Sequence, residues 1–275
     1  MSDRSIRYLV FDIESVADPR LVRDVQYSHD DCTPEEAVRR YRDDLLTKNN
    51  SDFIPYTYQL PISIGIAKVD DLFALQELAV LGVPQMQPHE ITRDFWNGWQ
   101  AYRRKDPQLT LVSFNGRGFD LPLLELAAFR YGIAIPSWFA LKEKTFEQPR
   151  NRYNTRSHLD LCDLMTNNGA TRFNGGLNLA AHILGKPGKM ETRGCMVQDM
   201  YDAGRLEEIS DYCRCDVLDT YFVFLRMMVV TGSLSLDKEQ QLVRQTKDWI
   251  EQRADNPAYR LYLKRWGDWQ NPWGE

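Results

Sequence analysis

The sequence predicts an α/β protein of packed layers, with strands gathered in its first half and helices dominating the second. Three observations carry this expectation. An apolar run from Arg7 to Phe11 leads directly into a pair of carboxylates. Two β-branched runs, Pro61 to Val69 and Leu72 to Leu81, flank the turn Asp70-Asp71. A long helical pattern then extends from about Leu206 to Val230.

The elements follow in order. Arg7 to Phe11 reads as a buried first strand that ends in Asp12-Ile13-Glu14-Ser15. Residues 18 to 58 are polar and irregular, except for a helix announced by Thr33-Pro34-Glu35-Glu36, which supplies a cap, a proline at the first position and acid in the first turn. Asn49-Asn50-Ser51-Asp52 stops that helix. The two β-branched runs form a hairpin. Ile91 to Arg104 is an amphipathic helix carrying Trp96 and Trp99. Leu109 to Phe114 is a strand, followed by the turn Asn115-Gly116-Arg117-Gly118-Phe119-Asp120. A helix from Pro122 to Tyr131 ends at Gly132. After a basic loop, Lys142 to Arg156, comes a short strand around His158 to Leu161. Helices over Leu177 to Leu184, Met196 to Tyr201, Leu206 to Val230 and Asp237 to Arg253 precede an end rich in tryptophan: Trp266, Trp269 and Trp273. No repeat, low-complexity tract or clear linker divides the chain.

Composition excludes several classes. Hydrophobic residues at 43% and charged residues at 27% describe an ordinary soluble globular protein. No apolar run approaches the roughly 20 residues of a bilayer span, and the N-terminus shows no secretory signal. The expected location is the cytoplasm, without a membrane partner. The five cysteines form no CxxC pair. Cys213 and Cys215 would point to different faces of a helix, so all five read as reduced thiols.

The carboxylates carry the chemistry. Asp12 and Glu14 are two apart on a strand, so their side chains share one side of it. Two like charges side by side cost energy unless something neutralises them, and a divalent cation does so. Asp120 follows a strand and a glycine-rich turn. Tyr212 and Asp216, four apart, lie on one face of the long helix. Taken singly, each has an ordinary structural reading: a solvated pair, a helix cap and a surface pair.

Taken together they resemble a known family. Phe11-Asp12-Ile13-Glu14 is similar to the first motif of the DEDD 3′-5′ exonucleases. Ser113-Phe114-Asn115-Gly116-Arg117-Gly118-Phe119-Asp120-Leu121-Pro122 is similar to the second, in the form found in the proofreading domain of family B DNA polymerases. Asp211-Tyr212-Cys213-Arg214-Cys215-Asp216-Val217 resembles the third, Tyr-x-x-x-Asp, which marks the tyrosine subclass (DEDDy). The histidine subclass needs a His where Asp211 stands. The match covers roughly residues 5 to 230.

The resemblance implies a ribonuclease H-like fold over residues 1–235, a mixed five-stranded sheet flanked by helices. Residues 236–275 would be a C-terminal helix and Trp-rich tail packed on it or extending from it. It implies catalytic residues Asp12, Glu14, Asp120, Tyr212 and Asp216, and two divalent ions, Mg²⁺ or Mn²⁺. Asp12 would bridge both ions, Glu14 and Asp216 would complete the site of the ion that activates water, and Asp120 would hold the other. Tyr212 would align the attacking water. The implied activity is 3′-5′ hydrolysis of single-stranded nucleic acid, DNA favoured over RNA, releasing nucleoside 5′-monophosphates in a repair setting. The alternatives are an RNA-processing exonuclease on the same fold and a non-catalytic binding module. A formal net charge of -5 is unusual for a nucleic-acid enzyme, but bound cations invert the local field.

Other residues have assigned expectations. Asn115 and Phe119 would contact the terminal nucleotides, and Arg150, Arg152 and Arg156 would contact phosphates. Asp160 reads as structural, and His158 and His182 as core or surface histidines. Gly185-Lys186-Pro187-Gly188-Lys189 lacks Walker spacing and reads as a loop. The tryptophan-rich tail is a candidate docking segment for a protein partner.

Overall fold

The structure, a computed structural model, describes residues 5–188 and 196–274. Lys189 and Cys195 lie outside the described residues. A five-stranded sheet runs through the molecule in the order β3-β2-β1-β4-β5, formed by β1 (Ile6–Ala17), β2 (Gln59–Asp70), β3 (Leu75–Leu81), β4 (Thr110–Ser113) and β5 (His158–Asp160). The pairs β1–β2 and β2–β3 are antiparallel, as the expected hairpin requires, whereas β1–β4 and β4–β5 are parallel. The sheet is therefore mixed.

The first strand does not stop at the carboxylates. It continues to Ala17 because β2 stays paired with it, matching Asp12 to Gly65 and Glu14 to Ser63 before the register shifts after Glu14. On its other edge β1 pairs with β4 only from Tyr8 to Val10. Asp12 and Glu14 therefore sit just past the last β4 pair, where the sheet opens.

Alternation along β1 separates two cores. Leu9, Phe11 and Ile13 pack with Ile91, Phe95, Trp96 and Trp99 of α3 (Pro88–Lys105) and with Leu121, Leu123 and Leu124 of α4 (Asp120–Tyr131). Val10, on the other face, packs with Val217, Leu218 and Tyr221 of the long helix α9 (Leu206–Val230). Since side chains alternate, Asp12 and Glu14 share the face of Val10, under α9.

Residues 18 to 58 hold an additional helix, α1 (Pro19–Gln26), ahead of the expected one, α2 (Pro34–Asn49). Asp18 caps the first by accepting from Arg20 N and Leu21 N. Thr33 and Glu36 cap the second reciprocally, and Asn50, at φ 55°, ends it. With Ala17 and Ile54 these helices bury a small core of their own, including Val22, Val38 and Leu45, and so form an arm beside the sheet.

Short helices α5 (Pro136–Phe139), α6 (Leu161–Thr166), α7 (Gly176–Ile183) and α8 (Val197–Asp202) surround the sheet. The C-terminal residues pack on α9 rather than extending from it. Here α10 (Leu236–Glu251) is followed by α11 (Pro257–Lys264), whose start, capped by Asn256 with Pro257 in its first turn, was not anticipated. No described helix is long and apolar enough to cross a membrane.

Candidate active site

Three distant segments deliver the acidic residues to one place. Asp12, Glu14, Asp120, Tyr212 and Asp216 all line a single cleft of about 880 Å³, together with Asn115 and Phe119. Glu14, Asp120, Tyr212 and Asp216 are each at least nine-tenths buried, so Glu14, Tyr212 and Asp216 are not the solvated surface groups their isolated readings allowed.

Asp120 is not a helix cap. It is the first residue of α4, the cap position belongs to Phe119, and no side chain caps this end. Its carboxylate instead accepts from the backbone N–H of Ile13, and burial, reinforced by nearby Asp160, pushes its pKa up to about 7. The turn that presents it leaves no room for another residue at 116. A Cβ on Gly116 would lie 2.4 Å from Ser113 Oγ and 3.2 Å from Asp120 Oδ2.

Asp160 holds that turn in place, which bears out its structural reading. Its carboxylate accepts from Asn115 N at 2.9 Å and Arg117 N at 2.8 Å, and it also caps α6. Asn115 adopts φ 64°, a left-handed conformation that asparagine tolerates. His158 is a core residue: fully buried, bonded to Ser113 Oγ at 2.8 Å, and held neutral by burial and by Arg117. His182 is exposed.

Tyr212 is buried and belongs to the core that includes Phe11 and Ile13 of β1. Burial and the charges of Asp216, Glu14 and Asp12 raise its pKa far above the ordinary tyrosine value. The hydroxyl therefore stays protonated. Cys213, on the next position, accepts from Gly65 N at 3.1 Å, and its Sγ lies within 4.8 Å of a carboxylate oxygen of both Asp12 and Glu14. Cys215 faces the other way, toward the carbonyl of Ala258. The four described cysteines are free.

The donor set suits hard divalent cations. Six carboxylates line the cleft (Asp12, Glu14, Asp52, Asp120, Asp163 and Asp216), against two arginines, Arg42 and Arg172, among the described residues. Arg42 is already engaged by Asp52. Buried oxygen donors of one sign, with one carboxyl pushed toward neutrality, are what oxygen-binding cations stabilise.

The structure does not bring the arginines of the basic loop into this cleft. Arg150 is spent on Glu125, which it grips with Nε and a terminal nitrogen, and it lies over the ring of Phe139. Arg150 and Arg152 line a second, smaller hollow, and Arg156 is exposed and lines neither. Loop charge in sequence carries no information on where the loop folds. Sequence reading missed Arg42 and Phe53 from the arm, and Arg172 and Phe173 ahead of α7. The one signal available was Gly175-Gly176, a turn that opens a helix beside the cleft.

The tail shows a graded pattern. Trp266 packs edge-on against Phe222 and Trp269 lies under Arg226, while Trp273 is 81% exposed.

Comparison with known proteins decides the family. Residues 51–266 match the profile of a family described as a predicted 3′-5′ exonuclease related to the exonuclease domain of PolB. The chain belongs to this family. The matched residues include Asp120, Tyr212 and Asp216 but begin after Asp12 and Glu14, which the fold alone brings to the same cleft. Among solved structures, the family B DNA polymerase of the hyperthermophilic archaeon Pyrobaculum calidifontis is similar at 14% identity and a TM-score of 0.46. That likeness covers 82% of this chain and spans only 24% of the polymerase. No curated protein sequence matches the chain.

Proposed function

We propose that the protein is a 3′-5′ exonuclease that hydrolyses single-stranded nucleic acid, DNA in preference to RNA, to nucleoside 5′-monophosphates. The observation that carries this reading is the convergence of Asp12, Glu14, Asp120, Tyr212 and Asp216, from β1, α4 and α9, on one cleft. The DNA preference rests on the resemblance to a polymerase proofreading domain.

Asp12, Glu14, Asp120 and Asp216 would hold two divalent ions, Mg²⁺ or Mn²⁺. When bound, such ions supply positive charge at the phosphate and a reactive water at neutral pH. Tyr212 keeps its proton, so it is a hydrogen-bonding guide for the attacking water rather than a base. Asn115 and Phe119, at the rim beside Asp120, would hold the terminal nucleotide without reading its base. In-line attack on the last phosphodiester breaks the bond between phosphorus and the 3′-oxygen of the penultimate nucleotide. The shortened strand keeps a 3′-hydroxyl and the released nucleoside keeps the 5′-phosphate.

The test is a single strand labelled at either end, incubated with Mg²⁺, Mn²⁺ or EDTA. A 5′ label should yield a descending ladder and a 3′ label an immediate mononucleotide, in the metal arms alone. A matched RNA strand should be degraded more slowly, since the 2′-hydroxyl is the difference presented at every step. Degradation from the 5′ end, or none under any cation, would overturn the proposal.

A further inference from the structure

We propose that Phe53, on the arm, and Phe119 together stack the base of the 3′-terminal nucleotide. This inference rests on the exonuclease reading for its substrate but is carried by a different residue. Phe53 lines the cleft from the arm, in the loop between α2 and β2, and is 60% exposed. Its ring centroid lies 5.7 Å from that of Phe119, with the planes 53° apart.

The backbone beneath Phe53 is fixed on both sides. Asp52 is held by Arg42 Nε at 3.1 Å, Phe53 N donates to Ser51 Oγ at 3.3 Å, and the next residue, Ile54, is buried in the core of the arm. A loop this well tied could have turned an apolar ring inward, yet the ring projects into the cleft. Water-exposed apolar area contributes nothing to folding. A ring presented on a fixed backbone does reduce the ordering cost of a ligand that stacks on it.

Phe119 is partly buried against the main core, so its ring is the stationary partner. A base lying between two rings needs them about 7 Å apart, twice the rise of a stacked base. The rings, now in contact, would therefore separate by rotation of the exposed Phe53 side chain, a motion on the picosecond to nanosecond scale. Within a duplex a terminal base is held by its pair and its neighbour. A frayed or single-stranded base is free to enter. Neither ring distinguishes one base from another.

The experiment compares Phe53→Ala and Phe53→Trp with the wild type on two single-stranded DNA oligonucleotides, one ordinary and one ending in an abasic residue. Removal of the first nucleotide is followed with Mg²⁺, and binding of fluorescent strands is followed with Ca²⁺ in its place. Phe53→Ala should raise KM and Kd for the ordinary strand about tenfold or more, the range of one lost base–aromatic stack. Wild type and variant should become equal on the abasic strand, and Phe53→Trp should restore the difference. Equal losses on both strands, or no loss on either, would overturn the proposal. Phe53-dependent binding without release of nucleotide would instead sink the exonuclease reading and leave the stacking in place.

Discussion

Asp120 is buried beside Ile13 and Asp160 with its carboxyl pushed up to about 7, whereas an unfolded aspartate titrates near 3.9. Between these values the folded chain binds the extra proton, so this residue makes stability fall as pH rises. Metal-free protein in EDTA should therefore melt lower at pH 8 than at pH 5.5. Asp160 and Asp219 are shifted the same way, so the contribution of Asp120 is isolated by Asp120→Asn, which should raise the melting temperature at pH 8 by a few degrees. Mn²⁺ should stabilise the wild type more than the variant. Identical melting of Asp120→Asn and wild type in EDTA at pH 8 would refute the argument. The other site residues separate by kinetics. Asp12→Asn should cost at least several hundred-fold in turnover, since the bound charge is worth several kcal/mol. Tyr212→Phe removes only a hydroxyl and should cost roughly ten- to thousand-fold, with the metal activation curve unmoved. Both are read in single-turnover assays on a labelled strand.

Between elements, the packing of α9 on the β1–β2 pair sets the spacing of the site. Gly65 lies opposite Asp12 in the sheet. A Cβ there would meet Val217 Cγ2 at 2.6 Å and both the carbonyl oxygen and Sγ of Cys213 at 3.2 Å. The missing side chain lets the helix that carries Tyr212 and Asp216 lie directly on the strands that carry Asp12 and Glu14. Gly65→Ala should lift the helix, and a misplacement near 1 Å can cost about a hundred-fold in rate. The overpacking should also cost roughly 1–3 kcal/mol in stability. Adding Val217→Ala vacates the nearest clash and should return much of the rate. Wild-type turnover from Gly65→Ala alone would show that α9 is not held at this distance by the glycine.

At the scale of the molecule, the C-terminal residues complete the core rather than decorate it. Cys215, Tyr221 and Phe222 on α9 meet Ala258, Thr246 and Trp266 respectively. Tyr262 donates to the buried Asp219 at 2.6 Å. The tail is also tied down next to α7. Gly267 N donates to Gly185 O at 2.7 Å, and Lys186 Nζ donates to Gly267 O at 3.0 Å while lying 3.8 Å from the ring centroid of Trp266. The loop read as a failed phosphate motif is thus an anchor for the tail. The whole chain should melt in one transition. A chain ending at residue 235 should lose soluble, cooperative folding because it uncovers apolar surface along α9. Calorimetry and circular dichroism on both lengths check this, and a stable truncated protein with full activity would contradict it.

Much of this was legible before any fold was known, because it depends on neighbours in the chain. The hairpin, the limits of α9, the reciprocal cap at Thr33 and Glu36, and the stop at Gly132 all follow from local periodicity and capping. The three acidic motifs were legible for a different reason: their spacing resembles that of a family. Tertiary structure decided what depends on chain segments far apart. It extended β1 through Asp12 and Glu14, because the pairing partner β2 lies some fifty residues away in sequence. It turned Asp160 from one strand carboxylate among many into the support of the turn at Asn115. It left the arginines of the basic loop outside the cleft and placed Phe53 and Arg42 inside it. Charge and exposure belong to residues, but the side of the molecule they occupy is set by long-range packing, which sequence spacing does not encode.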